Sequence, residues 1–297
     1  MKSKGLTATI IFEASSANYG ESLGNIASLK KITRDTGYQY TYISRQALRY
    51  NIVQQLGEPE TDLSVEGSGN RKVIQFSKTA SIKDYPEIDF FGYMKTEKGN
   101  NTNVRSAKVR LSNAISQEPF AGDVDFLTNT GLASRMRQTT RDNSVKNSLV
   151  TSEIHLSYYC YTITIDLDQI GIDVNDGTRL ENDERSRRVS KLLDTIAYLY
   201  RDIRGRRENL QPLFIVGGVY SVKNPLFENI VRVENNTVKV DALIRLLTSE
   251  LTRGTLVGYV EDYFSNGDEI KEKLKAQSVE QVIESLKTKV VDYYESN

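Results

Sequence analysis

Stretches that repeat every second residue alternate along this chain with stretches that repeat every three to four, and their order limits the folds open to it. Residues 6–13 place Leu6, Ala8, Ile10 and Phe12 on one side, the pattern of a strand. Residues 44–56 set Leu48, Ile52 and Leu56 four apart, the pattern of a helix. Strands are expected at 72–76, 88–93 and 104–111, and a long β run at 151–167. A helix is then expected over 185–207, with the stripe Val189, Leu192, Leu193, Ile196, Ala197, Tyr200 and Ile203. An apolar strand at 213–219 follows. The core order is strand, helix, strands, strand, helix, strand. That is the βαββαβ order of a ferredoxin-like or RNA-recognition-like α+β fold, here with large insertions.

The remaining segments are the insertions. Residues 57–71 are rich in turn formers. Residues 119–148 show no periodicity and are rich in Asn, Thr, Arg and Gly, which predicts a functional or disordered loop. A hairpin turning at Asn235-Asn236 is expected over 229–240. Helices are expected at 242–251 and 279–291, the second opened by a capping box of Ser278 and Gln281.

Charge is gathered locally on a chain that carries 39 basic and 39 acidic residues. Arg185, Arg187, Arg188, Lys191, Arg201, Arg204, Arg206 and Arg207 stand against only Asp194 and Asp202 in their segment. A helix with a buried stripe and that outer surface either attracts a polyanion or presents a solvated charged face. Arg45 and Arg49 lie one turn apart near a helix N-terminus, where free N–H groups and the dipole hold phosphate; Ser44 is its expected N-cap. Arg105, Lys108 and Arg110 form a second cluster, and Arg135, Arg137, Arg141 and Lys146 a third in the unpatterned segment. Tyr19, Tyr38, Tyr40, Tyr42 and Tyr50 supply planar surfaces for base stacking. A net charge of zero argues against a free, non-specific nucleic-acid binder and permits a binder with one basic face.

Other chemistry is scarce. No apolar run approaches a membrane span. Met1-Lys2-Ser3-Lys4 leads directly into the first strand pattern, so no secretory leader is expected. The single cysteine, Cys160, excludes an intrachain disulfide framework and fits a reducing cytoplasm. His155, the only histidine, lies an odd number of residues from Cys160, which places the two on opposite faces of one strand. A Cys/His catalytic pair and a Cys/His metal cluster are both disfavoured, and no nucleotide-binding glycine motif is present. No catalytic residue, metal or cofactor is expected. Gly217-Gly218 allows either close approach of a ligand to backbone or a tight strand exit.

Six blocks in order resemble the DevR-type CRISPR-associated backbone subunit of type I, chiefly type I-B, Cascade complexes, within the RAMP superfamily. They are Leu6-Thr-Ala-Thr-Ile-Ile-Phe-Glu-Ala-Ser-Ser-Ala-Asn-Tyr-Gly20, Ile43-Ser-Arg-Gln-Ala-Leu-Arg49, Asp89-Phe-Phe-Gly-Tyr-Met94, Arg105-Ser-Ala-Lys-Val-Arg-Leu-Ser-Asn-Ala114, Glu153-Ile-His155 and Arg204-Gly-Arg-Arg-Glu-Asn-Leu-Gln-Pro-Leu-Phe-Ile-Val-Gly-Gly218. The resemblance implies one domain over 1–297: an RNA-recognition-like palm with a finger-like insertion near 57–150 and a thumb-like one near 220–240. It implies copies aligned head to tail along a guide RNA (crRNA), in contact with other Cascade subunits and, through the guide duplex, with a target DNA strand. The residues that match its RNA-binding regions are Ser16, Asn18 and Tyr19 after the first strand and Ser44, Arg45, Gln46 and Arg49 on the first helix. Arg105, Lys108, Arg110, Asn113, Arg135, Arg137, Arg141 and Lys146 would belong to the fingers. Gly217, Gly218 and Lys223 would add to the surface, and Leu226 and Phe227 would form the thumb wedge. Type III relatives cut RNA with an aspartate in the loop after the first strand. Residues 14–33 hold no Asp and one acid, Glu21, which implies a non-catalytic subunit. The alternative is a metal-independent endoribonuclease of the same superfamily that processes the guide precursor.

Overall fold

A computed structural model describes residues 4–23, 26–34, 37–66, 72–96 and 102–297; the turn-rich reading of 57–71 thus extends onto residues outside that set. The architecture is mixed α+β around one large sheet. At its centre Gly5–Ala14 runs antiparallel to Ser157–Asp166 on one side and Phe214–Tyr220 on the other. Val109–Leu111 and Ala114–Ser116 pair with the far edge of Ser157–Asp166, and Tyr38–Ile43 and Lys31–Arg34 continue outward. Leu256–Tyr259 and Gln277–Ser278 close the opposite edge.

Three helices cover one face. Arg45–Gln55, Asn182–Ala197 and Val279–Glu295 bury Leu48, Ile52, Val189, Leu192, Ile196, Val282, Leu286 and Val290 against Leu6, Ala8, Ile10 and Phe12. The alternation read in 6–13 is this face. The last helix opens with the expected capping box: Ser278 Oγ accepts from Gln281 N at 3.2 Å, and Gln281 Oε1 from Ser278 N at 3.1 Å. On the other face Ile11, Cys160, Phe214 and Val216 pack beneath the 222–276 region, including Phe227, Val231, Val240, Leu243 and Ile270. On that same face Thr7, Thr9, Thr162 and Thr164 are buried, with the Thr9 and Thr162 hydroxyls 2.7 Å apart.

Several expected elements differ. Residues 88–93 were expected as a strand, but Pro86–Phe91 is helical: Pro86 sets the first turn, Glu87 and Asp89 complement its dipole, and Gly92 at φ 73° ends it. A Cβ on Gly92 would lie 2.2 Å from the Arg105 carbonyl oxygen, so the close crossing there admits only glycine. The strand expected at 104–111 is two, Thr102–Arg105 and Val109–Leu111. The run at 151–167 breaks at His155, whose N–H bonds Ser15 O at 3.0 Å, giving Leu149–Ile154 and Ser157–Asp166. The segment expected to lack structure holds the strand Asp123–Thr128, paired with Leu149–Ile154, and the helix Thr130–Thr140. That strand is exposed at every position and the helix buries only Ala133, so neither needs a hydrophobic period. The Asn235-Asn236 hairpin is present, both residues at positive φ as a two-residue turn demands. Sequence reading passed over the helix Gly267–Leu274.

The largest difference lies in 185–207. The helix stops at Ala197, and Tyr200–Ile203 turns through Arg204 (φ 48°) and Gly205 (φ 78°) into Arg206–Asn209. Nor does all of its charge form an outer surface. Arg185, Arg188 and Arg201 are buried, and Arg187 and Lys191 pair with Glu58, each at 2.7 Å.

Candidate nucleic-acid interface

The N-terminus of Arg45–Gln55 is built by three side chains. Ser44 is extended and its Oγ accepts from Ala47 N at 3.3 Å. Asn113 Oδ1 accepts from Arg45 N at 2.9 Å, and Asn18 Oδ1 from Ser44 N at 2.7 Å. These bonds join the loop after the first strand, the helix end and the turn after Val109–Leu111. Beside them a groove of about 450 Å³ is lined by Arg45, Gln46, Arg49, Phe91, Ala107, Val109, Arg110 and Leu111. Arg45 and Gln46 are exposed. The Arg49 guanidinium lies 4.9 Å from the Phe91 ring centre and 3.1 Å from Glu87. Arg110 is half exposed and 2.9 Å from Asp166.

Lys108 stands next to this groove. Burial pushes its amine down from the usual lysine range, and Arg105, Arg110 and Lys223 push the same way while Asp166 opposes them. Lys223 in turn pairs with Asp168 at 2.5 Å. The cations lining the groove, Arg45, Arg49 and Arg110, outnumber the two carboxylates that pair with them, Glu87 and Asp166.

The loop at 15–19 is clasped from the far side by the hairpin Tyr200–Ile203/Arg206–Asn209. Buried Glu208 accepts from Ser15 N at 2.7 Å and Ser16 N at 3.1 Å, and its other oxygen pairs with buried Arg201 at 2.6 Å. Arg206 donates to Ser16 Oγ. The Arg204 guanidinium stacks 3.9 Å over the Tyr19 ring, whose hydroxyl donates to Glu153 O at 3.2 Å. Nothing local in the sequence signals that Arg206 and its neighbour Arg204 reach a loop some 190 residues away.

Other expected site residues stand elsewhere. Arg105 is buried, its guanidinium 2.6 Å from Asp89, which is itself fully enclosed; it belongs to the core and not to a surface. Gly217 and Gly218 lie buried inside a central strand, where a Cβ on Gly217 would meet Thr7 O at 2.4 Å and one on Gly218 the Tyr220 hydroxyl at 2.6 Å. The close approach they permit is strand against strand and ring against backbone, with no opening for a ligand. Phe227 is fully buried and Leu226 half-buried against the second core, so they cannot act as a protruding wedge. Arg135, Arg141 and Lys146 are exposed on the separate 123–154 lobe, and Arg137 there donates to Val145 O at 2.8 Å. That lobe also exposes Phe126, Leu127, Leu132 and Met136.

The reactive groups are enclosed. His155 is buried, its Nδ1 2.7 Å from the Thr41 hydroxyl and its ring edge-on to Phe120; burial holds its pKa below the usual range, so the ring is neutral at pH 7. Burial pushes the Cys160 thiol up to about 12. Among the described residues no group of His, Cys, Asp and Glu has the makings of a metal site, and no helix is long and apolar enough to cross a membrane.

The chain is thus a mixed α+β protein with a largely antiparallel sheet, helices on one face and a cationic groove beside the helix Arg45–Gln55. Comparison carries this further. Residues 6–242 match the family described as CRISPR-associated negative auto-regulator DevR/Csa2, and the chain belongs to that family. It is 28% identical over 176 residues to a CRISPR-associated protein Cas7/Cst2/DevR of Myxococcus xanthus (strain DK1622), an alignment spanning 55% of this chain and 57% of that protein. Its fold is similar to a chain of a "CRISPR RNA-guided surveillance complex, pre-nicking" (TM-score 0.62, 11% identity, 96% of this chain and 99% of the other). It is also similar to a chain of a "CRISPR RNA-guided surveillance complex" (TM-score 0.58, 14% identity, 96% and 98%).

Proposed function

We propose that this chain is a non-catalytic, guide-RNA-binding backbone subunit whose copies align along crRNA in a cytoplasmic type I CRISPR effector complex for RNA-guided DNA recognition. One observation carries the reading: Arg45, Gln46, Arg49 and Arg110 converge on a groove at a helix N-terminus, beside the 15–19 loop, on a chain of zero net charge. Phosphate contacts of this kind position a strand without reading its bases, which leaves sequence to the guide. Family membership and the fold shared with chains of surveillance complexes support it.

In this reading the RNA-recognition-like palm is Gly5–Ala14, Val109–Leu111, Ser157–Asp166 and Phe214–Tyr220 with helices Arg45–Gln55 and Asn182–Ala197. The fingers are the hairpins Leu63–Glu66/Val73–Phe76 and Tyr93–Thr96/Thr102–Arg105. The thumb moves from 220–240, which is packed against the second core, to the 123–154 lobe. That lobe exposes both apolar side chains and Arg135, Arg141 and Lys146, the surface a neighbouring copy or the guide would cover. Other Cascade subunits and a target strand paired to the guide are the further partners.

His155 is enclosed and its Nδ1 is engaged with the Thr41 hydroxyl, so an incoming 2′-hydroxyl would not reach it to be activated. Incubating the protein with labelled precursor RNA should give binding without cleavage, and His155→Ala should leave RNA lengths unchanged. A defined cleavage product that His155→Ala abolishes while the fold and RNA affinity persist would replace this reading with the endoribonuclease one.

A further inference from the structure

We infer that the hairpin turn carrying Arg204 and Arg206 is a second phosphate-binding subsite for single-stranded RNA, separate from the groove at Arg45; this rests on the RNA-binding reading above. The first observation is a charge balance. The hairpin holds four arginines and two acids. Arg201 is matched to Glu208 at 2.6 Å and Arg207 to Asp202 at 2.8 Å; Arg206 also reaches Glu208, at 3.8 Å, so the excess positive charge is centred on Arg204 and Arg206 with Glu208 shared between two arginines. Both are exposed, whereas Arg201 is enclosed.

The second observation is geometric. Glu208 accepts two backbone N–H groups of the 15–19 loop and so fixes the hairpin to it. Arg206 donates to Ser16 Oγ, and Arg204 donates to Ser152 Oγ while stacked over Tyr19. The two guanidiniums are thereby held in place before any ligand arrives, which reduces the ordering entropy lost on binding. The turn geometry serves the same end: Arg204 occupies a positive φ (48°) to bring its side chain over the loop.

The third observation is continuity. Two residues beyond Ser16, Asn18 caps the backbone at Ser44, next to Arg45. The loop thus links the Arg204/Arg206 turn to the helix groove as neighbouring points on one track. Apolar partners are poorly suited to this turn, since its exposed groups are guanidiniums. A phosphodiester, which accepts forked N–H donors, fits them.

The test is a salt series of binding to a mixed-sequence single-stranded RNA of guide length, using the full chain. Arg204→Gln/Arg206→Gln keeps polar side chains on the same backbone, and its circular dichroism and melting curve should match the native protein. Each lost contact with a single strand lowers the log–log salt slope by about 0.7, so the pair should lower it by about 1.4. Arg204→Lys/Arg206→Lys should restore most of the slope. If native protein binds and the Gln pair binds with unchanged slope, the subsite is wrong while the RNA reading stands. If the Gln pair loses self-association but keeps the slope, the turn faces protein and the proposal fails. Native protein that binds no RNA at all would sink both.

Discussion

Asp89→Ala should destabilise the protein by about 3–5 kcal/mol, the largest single-residue effect expected outside the central sheet. Asp89 is fully enclosed, yet its two oxygens tie together three parts of the chain. Oδ1 accepts from Arg105 Nη2 at 2.6 Å and Gly171 N at 2.9 Å; Oδ2 accepts from Arg188 Nη1 at 3.1 Å. Removing the carboxylate leaves the buried Arg105 guanidinium with no matching charge and Arg188 with Glu184 alone, and that penalty exceeds any relief from desolvating one acid fewer. Urea unfolding reads it as a lower midpoint at similar slope. A loss under about 1 kcal/mol would mean that water reaches the cluster. The same geometry predicts that Arg105→Ala is a stability variant: folded molecules should keep the native salt dependence of RNA binding.

Arg45→Ala/Arg49→Ala should weaken guide binding roughly ten- to hundredfold, by similar factors for unrelated guide sequences. Arg45 is exposed at the helix N-terminus, where the dipole adds to its charge. Arg49 contributes less, because Glu87 competes for it at 3.1 Å. The salt slope should fall by up to about 1.4 for the pair. Affinity lost only for particular guide sequences would indicate base readout, and the groove would then be a specificity site.

The parts of this fold legible in the sequence are those whose side chains face a core. Leu6, Ala8, Ile10 and Phe12 alternate because one face of their strand meets three helices, and Leu48 and Ile52 are spaced to meet that face. Ser278 with Gln281, and Asn235-Asn236, were readable because caps and tight turns are local chemistry. The 123–154 lobe was not, since a strand with no buried position and a helix with one carry no period. The helix at Pro86–Phe91 was misread as a strand because Ile88, Phe90 and Phe91 are all enclosed, leaving no polar face to reveal its turn.

The site was legible in part. Arg45, Gln46 and Arg49 share a groove at their helix N-terminus, and Arg110, expected in the fingers, joins them there. Arg105 sits between them in sequence but turns inward to Asp89, a partner that residue type alone does not disclose. The most basic segment misled for the same reason: Arg185 is satisfied by the carbonyls of Leu167, Asp168 and Ile170, Arg188 by Asp89 and Arg201 by Glu208, partners that residue type alone does not disclose. Of its exposed charge, Arg206 reaches Ser16 across 190 residues, and Arg204 lies over Tyr19.

Copies of this chain are proposed to assemble on a guide RNA. Native mass measurement of the complex, purified with its partner subunits and guide, tests this most directly. The expected mass corresponds to several copies of this chain with one small RNA, falling to free protein after ribonuclease digestion under denaturing salt. A single nucleic-acid-free copy, in the presence of guide and partners, would contradict it.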